Sequence, residues 1–270
     1  MTTNTTPDLA HLLPEIHRIA HGAGQRILEI YEQANHGIEH KQDNSPLTAA
    51  DLASNHYIIE QLAKITPYYP VLSEESAHLP FEQRSQWETY WLVDPLDGTK
   101  EFIKRNGEFS VLIALVHQNC AILGVVHAPV LQTTWYAAHG LGAYKQSAAQ
   151  EPMRLATRQL PKKPTIVGSR SHAGDSLKAF LDRVGNYELV SMGSILKACM
   201  VAEGKADLYP RLGPTSEWDT AAAQIIVEEA GGEFVALPTL QPMRYNQHNS
   251  LLNTEFLVSA TSVINWQKFL

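Results

Sequence analysis

Between residues 68 and 139 the chain places five short apolar segments in succession, YPVLSEES, YWLVDP, FSVLIALVH, AILGVVHAP and TTWYAAH, separated by Gly, Pro and Asn. Segments of this length, rich in β-branched and aromatic residues and bounded by turn formers, read as strands. They predict a meandering sheet, around which the rest of the chain must be arranged. Helical periods precede it. Leu12, Ile16, Ile19, Ala23, Ile27 and Ile30 recur at three- and four-residue intervals, the mark of an amphipathic helix, and Gly37 follows soon after its end. In KQDNSPLTAAD, Pro46 supplies a turn. Thr48, three residues before Asp51, reads as a capping box opening a second helix through Leu52, His56, Ile59 and Ala63. Asp51 is thereby set in the first turn of a helix.

A Pro/Lys/Arg-rich connection over residues 152–164 leads into a second half that mixes strands (TIVGSR, YELVSM, EFLVSA) with helices. These helices are expected over about 194–202 and 219–230, the latter closed by Gly231 and Gly232. Helix pairs beside meandering strands imply an α+β layered fold rather than strict βαβ alternation. The expected organisation is one compact unit with an N-terminal half, 1–155, carrying most of the reactive acids, and a C-terminal half, 156–270. A chain of 270 residues can bury such a core.

The net charge of -7 offers no basic footprint for a nucleic-acid polymer. Cys120 and Cys199 lie in apolar surroundings without CxxC spacing, and read as buried free thiols of a reducing compartment. The N-terminal MTTNTTPDLAHLL lacks the basic segment and apolar core of a secretory signal, and no apolar run reaches the roughly 20 residues of a membrane helix. The expectation is a cytoplasmic protein, free or peripherally attached at the cytoplasmic face of the inner membrane, with its oligomeric state left open.

The chemistry concentrates in WLVDPLDGTKEF, residues 91–102. Pro95 fixes its own backbone and biases Asp94 toward an extended conformation. A strand is therefore expected to end at Asp94, with Leu96 and Asp97 turning away so that two carboxylates and the intervening carbonyls converge. Hard oxygen donors suit Mg²⁺ or Ca²⁺ better than zinc. Gly98 lets backbone N–H groups approach an anion at a helix N-terminus, so that metal and phosphate would meet at one turn. The commoner fate of such a segment is a β-turn with solvated aspartates. Here the preceding YWLV draws at least one carboxylate inward, where it is costly without a partner. Glu74 and Glu75 after YPVLS, and Asp219 after Trp218 at a helix start, stand in similar settings and point to a shared cation. The remaining histidines read as scattered solvated or core side chains rather than as a metal-binding helix pair. Neither a G-x-S-x-G elbow nor a Walker loop is present, which sets aside serine-hydrolase and P-loop readings. Asp207 in GKADLY reads as a turn cap and not as a ligand.

Taken together and in this order, KQDNSPLTAAD, LSEES, DPLDGTKEF and EWDTAAAQIIVEEAGG resemble the inositol monophosphatase superfamily of Mg²⁺-dependent, lithium-sensitive phosphatases, over residues 41–232. Within it, DPLDGTKEFIKRNGEFSVLIALV, GVVHAP, SRSH and GSILKACMVAEGKADLYPRLGPTSEWDTAA are similar to the bacterial 3′(2′),5′-bisphosphate nucleotidases. The resemblance implies a layered αβαβα fold and removal of the 3′-phosphate of adenosine 3′,5′-bisphosphate to give AMP. It also implies 3′-phosphoadenylyl sulfate as a second substrate, and a part in clearing the by-product of sulfate activation. By the same resemblance, two or three Mg²⁺ ions are held by Glu74, Asp94, the Leu96 carbonyl, Asp97 and Asp219. The attacking water lies near Glu74 and Thr99, with Asp51 behind Thr99, and Gly98 and Thr99 bind phosphate through their backbone N–H groups. Ser169, His172, Ser194, Lys197, Arg211 and Asp219 line the nucleotide site.

Lys197 and Arg211 suit a second phosphate, the one as a point charge and the other as a bidentate fork. A single Lys on a helix is more often a solvated face, and a His beside a Ser more often a surface turn. Ile195 stands where these nucleotidases often carry the second Ser of GSSLK. Inositol-preferring relatives have a Glu several residues before the WD pair, whereas here Glu217 directly precedes Trp218. Two other readings stand beside the nucleotidase: an inositol or sugar monophosphatase of the same superfamily, and a non-catalytic nucleotide or metal sensor. The presence of all four acids with Thr99 and Asp51 speaks against the sensor.

Overall fold

In the computed structural model, which describes residues 7–33, 39–40, 46–76, 79–169, 175–260 and 266–269, the unbroken apolar runs are strands with a different core on each face. Tyr90 and Leu92 look into one cluster while Trp91 and Val93 look into another, and Leu112 and Ala114 alternate likewise with Ile113 and Leu115. The two-residue period of a strand thus feeds two cores, and neither face leaves a polar stripe in the sequence.

The chain runs α1 (Leu9–Tyr31), β1 (Glu39–His40), β2 (Pro46–Leu47), α2 (Ala49–Ile65), β3 (Val71–Ser73), α3 (Phe81–Arg84), β4 (Thr89–Asp97) and α4 (Thr99–Ile103). Then come β5 (Ser110–His117), β6 (Cys120–Ala128), β7 (Thr133–Ala138), β8 (Gly142–Ser147), β9 (Met153–Arg154), β10 (Thr165–Ser169), α5 (Asp175–Val184), β11 (Glu188–Met192) and α6 (Leu196–Ala202). It ends with β12 (Leu208–Arg211), α7 (Ala221–Glu229), β13 (Glu233–Ala236), β14 (Gln241–Pro242) and β15 (Phe256–Ser259). Strands β3 to β9 form a seven-stranded sheet in chain order, antiparallel except for the β3–β4 pair. A six-stranded sheet has the order β11-β10-β12-β15-β13-β14, with β10 parallel to both β11 and β12.

Helices α1 and α2 cover one face of the first sheet, α6 and α7 fill the space between the sheets, and α5 lies behind the second. The layering is αβαβα, as the resemblance implies. One cluster joins Leu112 and Trp135 of the first sheet to Tyr209 and Phe256 of the second through α6 and α7, so the sheets share a core. Helix α7 sits close because Gly124 offers no side chain: a Cβ there would lie 2.3 Å from the Ala222 carbonyl oxygen. No helix among the described residues is long and apolar enough to cross a membrane.

Several details differ from the sequence expectation. In α2 the buried stripe is Ala50, Asp51, Ser54, Asn55, Ile58 and Leu62, while Leu52 is 43% exposed. The helix is turned so that polar side chains with hydrogen-bond partners face inward, which hydrophobic spacing does not register. The second half opens with a true βαβ unit, β10–α5–β11. Cys199 is buried, but Cys120 is only half-buried, and both are free.

Candidate active site

The DPLD segment does not end a strand at Asp94. β4 continues to Asp97, and its pairing with β5 slips between Asp94↔Leu112 and Asp97↔Ser110, leaving one extra residue on β4. That is a β-bulge, which tolerates the missing N–H of Pro95 and re-aims the side chains on either side. The turn follows at Gly98, which caps α4 with φ +93, a left-handed conformation suited to glycine; a Cβ there would also lie 3.2 Å from the Glu108 carbonyl oxygen. Helix α2 grips the bulge from behind. Ser54 donates its hydroxyl to the Pro95 carbonyl (2.8 Å), and Ser73 donates to Asn55 Oδ1 (2.7 Å).

Asp51 forms the expected capping interaction, its Oδ2 accepting both the N–H (2.8 Å) and the hydroxyl (2.6 Å) of Thr48. Its other oxygen accepts the Thr99 hydroxyl at 3.4 Å. Burial raises the Asp51 carboxyl to about 6, against the pull of the Thr48 hydrogen bonds.

Parallel β3 and β4 both deliver acids from their carboxyl ends, Glu74 just after one and Asp97 at the tip of the other. The residues expected at the nucleotide site come likewise from the carboxyl ends of β10, β11 and β12: Ser169, the turn bearing Ser194, and Arg211. Because β10 has β11 on one side and β12 on the other, this is a topological switch point, where open parallel sheets leave a crevice. The two sets of strand ends enclose one pocket of about 240 Å³, lined by Glu74, Asp97, Gly98, Thr99, Ser169, Ser194, Lys197, Arg211 and Asp219. Asp94, Leu96 and Asp51 lie beneath it, and His172 falls outside the described residues.

Burial pushes Asp94 well above the usual carboxylate range, and the charges of Glu74, Asp97, Asp219 and Asp51 push the same way. Asp219 rises for the same reason, with Asp97 its nearest like charge and the Ser216 N–H (2.8 Å) opposing. Asp97 is raised by burial but drawn back by the Ser194 hydroxyl and the Ile195 N–H (2.6 Å), then by Lys197 and Arg211. Among the described residues no three His, Cys, Asp or Glu side chains stand in ligating geometry, the carboxylates being turned onto these protein donors. An all-oxygen donor set of buried, mutually repelling carboxylates nevertheless fits a hard divalent cation, since buried charge requires a partner.

On the opposite wall, Lys197 is buried. Its ammonium donates to the carbonyls of Ser194 and Met192 and lies 5.1 Å from the Tyr209 ring, and burial lowers it to about 8. Arg211 donates through Nη2 to the Pro214 carbonyl (2.8 Å), while its buried Nε has no partner. Asp207 is a structural acid, held by both prongs of Arg158 (2.8 and 2.6 Å) and by the Thr165 N–H. Glu217 is buried too, its two oxygens shared by the Asn246 N–H. Sequence reading missed Ser54, Asn55, Ser73, Ser110, Tyr209 and Phe256. The first two could have been found, three and four residues after Asp51 on the same helical face.

The family model described as the inositol monophosphatase family matches residues 8–265. The chain belongs to that family. It is thereby a phosphatase of a metal-dependent kind. Relatives named 3′(2′),5′-bisphosphate nucleotidase CysQ include that of Salmonella typhimurium, 45% identical over 92% of this chain and 99% of its own length. That of Escherichia coli is 43% identical with the same coverage. The crystal structure of CysQ from Bacteroides thetaiotaomicron superposes with a TM-score of 0.83 at 40% identity, over 94% of this chain and 98% of that one. An inositol monophosphatase from Anabaena shares the fold, with a TM-score of 0.74 at 24% identity over 97% and 95%.

Proposed function

We propose that this chain is a cytoplasmic 3′(2′),5′-bisphosphate nucleotidase that hydrolyses the 3′-phosphate of adenosine 3′,5′-bisphosphate to AMP and phosphate, with 3′-phosphoadenylyl sulfate as a second substrate. The observation that carries the reading is a single pocket lined both by the acids Glu74, Asp97 and Asp219 and by the cations Lys197 and Arg211. Such a pocket has a place for a metal-bound phosphate and a second place for a phosphate that is not cleaved.

Glu74, Asp94, the Leu96 carbonyl, Asp97 and Asp219 would hold two or three Mg²⁺ ions. When bound, Mg²⁺ supplies Lewis-acid activation of water and neutralises charge on the leaving ester oxygen. Thr99 orients the attacking water and passes its proton toward Asp51, whose carboxyl near 6 is suited to accept it at neutral pH. The 3.4 Å separation of Thr99 and Asp51 is long, as catalytic contacts often are before substrate binds. Backbone N–H groups of Gly98 and Thr99 position the phosphate oxygens. Arg211, which lines the pocket beside Ser169, suits the 5′-phosphate through its guanidinium fork. Ile195 supplies its N–H to Asp97, so the site does without a hydroxyl at that position. Glu217 is engaged by Asn246 and does not line the pocket, which disfavours the inositol reading. The test is product identity with Mg²⁺: 5′-AMP is expected, whereas release of adenosine 3′-phosphate would mean that the substrate sits the other way round.

A further inference from the structure

Away from the carboxylates, three imidazoles meet under the first helix. His17 and His21 are four residues apart on α1 and share a face, an H-x-x-x-H pair that the reading of scattered histidines passes over. His127 rises from β6 on the side of the sheet that α1 covers. The three line one cavity of about 510 Å³, together with Gln25, Gln132 and Gln146.

His127 is fixed on two sides. Its ring lies so close to α1 that a Cβ on Gly24 would come within 2.6 Å of Cδ2 and 2.7 Å of Nε2, so only glycine fits there. Its Nδ1 is 2.8 Å from the Thr134 hydroxyl. With Nδ1–H donating to Thr134, the Nε2 lone pair is left without a protein partner, which is how an outer partner fixes an imidazole ligand. His17 Nε2 is also buried and unpaired. The His21 and His127 ring centroids are 5.3 Å apart at 46°. Two imidazoles sharing a tetrahedral metal at about 2.0–2.1 Å per N have centroids roughly 5 Å apart. An ordinary ring contact explains that pair, but not the buried Nε2 of His17 left without a partner.

We propose that His17, His21 and His127 form a site for one divalent transition-metal ion, of the zinc, cobalt or nickel kind, distinct from the carboxylate pocket. Imidazole nitrogen prefers these metals to Mg²⁺, so the two sites sort their ions by ligand type. The rings are not in ligating geometry in this structure, and the carboxylates share that property. Exposed His21 and half-buried His17 close on His127 by changing rotamer. Burial keeps His127 neutral, near 3, and lowers His17 as well, which leaves both as lone-pair donors at neutral pH. An ion there would tie α1 to the first sheet.

The test is metal binding by tag-free protein in excess Mg²⁺, read by Zn²⁺ calorimetry and by the visible d–d bands of Co²⁺, and it does not depend on the phosphatase reading. One equivalent with tetrahedral Co²⁺ bands is expected, weakened by at least about tenfold in His21→Ala and His17→Ala and retained in Asp97→Asn. His21 is exposed, so its variant keeps the fold even where His127→Gln does not. No binding of any of the three metals, or binding that survives His21→Ala and disappears in Asp97→Asn, overturns the proposal.

Discussion

The acids and the cations of the pocket are opposite in construction. Among the acids, Asp94, Asp97 and Asp219 are all raised by burial, Asp94 and Asp219 further by neighbouring carboxylates, while N–H and hydroxyl donors pull Asp97 and Asp219 back. On the cationic wall, Lys197 is already satisfied by two carbonyls and an aromatic face. Ser194 joins the walls, giving its hydroxyl to Asp97 and its carbonyl to Lys197. The difference teaches that the acids are an oxygen donor set suited to a hard cation, whereas Lys197 is part of the frame that holds Asp97. Arg211, which lines the pocket and donates through Nη2 to the Pro214 carbonyl, is the cation proposed to grip a ligand.

That contrast can be broken most severely at Asp97. Asp97→Asn keeps the shape and removes a charge from the acidic wall, so turnover should fall by roughly a thousandfold or more with an unchanged circular dichroism spectrum. Near-normal rates at saturating Mg²⁺ would remove Asp97 from the metal site. Thr99→Ala leaves the charges alone and interrupts the path from water to Asp51, for which a loss of about a hundredfold in kcat is expected, with little change in KM. On the other wall, Arg211→Ala should raise KM for the bisphosphate by about ten- to a hundredfold and spare kcat, and Lys197→Ala should raise KM less. Equal KM effects would show that Lys197 also binds substrate.

A further prediction concerns stability. Folding raises the Asp51 carboxyl from 3.8 to about 6, so between these values the native state holds more protons than the unfolded one. Wild-type stability therefore loses this contribution as pH rises through that window, and Asn at the position loses nothing. In EDTA, denaturant melts should show Asp51→Asn gaining on the wild type by up to about 3 kcal/mol between pH 4 and pH 7. A difference that does not vary with pH would mean that Asp51 is not held protonated by its surroundings.

Much of the acidic wall was legible because its residues lie within a few positions of apolar strand runs, where a carboxylate is conspicuous. The bulge was not, since it depends on the register of β4 against β5 and DPLD reads equally well as a turn. Ser54 and Asn55 escaped because hydrophobic spacing passes over polar residues that turn inward, Ser54 to the β4 bulge at Pro95 and Asn55 to Ser73 of β3. The strands of the first sheet were recovered through Ala138, but β8 and β9 lack an apolar run and went unread. In the second sheet the crevice arises from strand order, β11-β10-β12, which no local pattern encodes. The motif resemblance could place Arg211 at the site. Only the structure separates its guanidinium, bonded to the Pro214 carbonyl, from the ammonium of Lys197, held by two carbonyls.

The most direct measurement is phosphate release from adenosine 3′,5′-bisphosphate beside inositol 1-phosphate, each with Mg²⁺ and with EDTA. Release that is selective for the nucleotide and abolished by EDTA is the expected result. Metal-dependent release from the inositol ester alone would keep the acidic wall as the catalytic centre and contradict the role given to Arg211, and release that persists in EDTA would contradict the metal site itself.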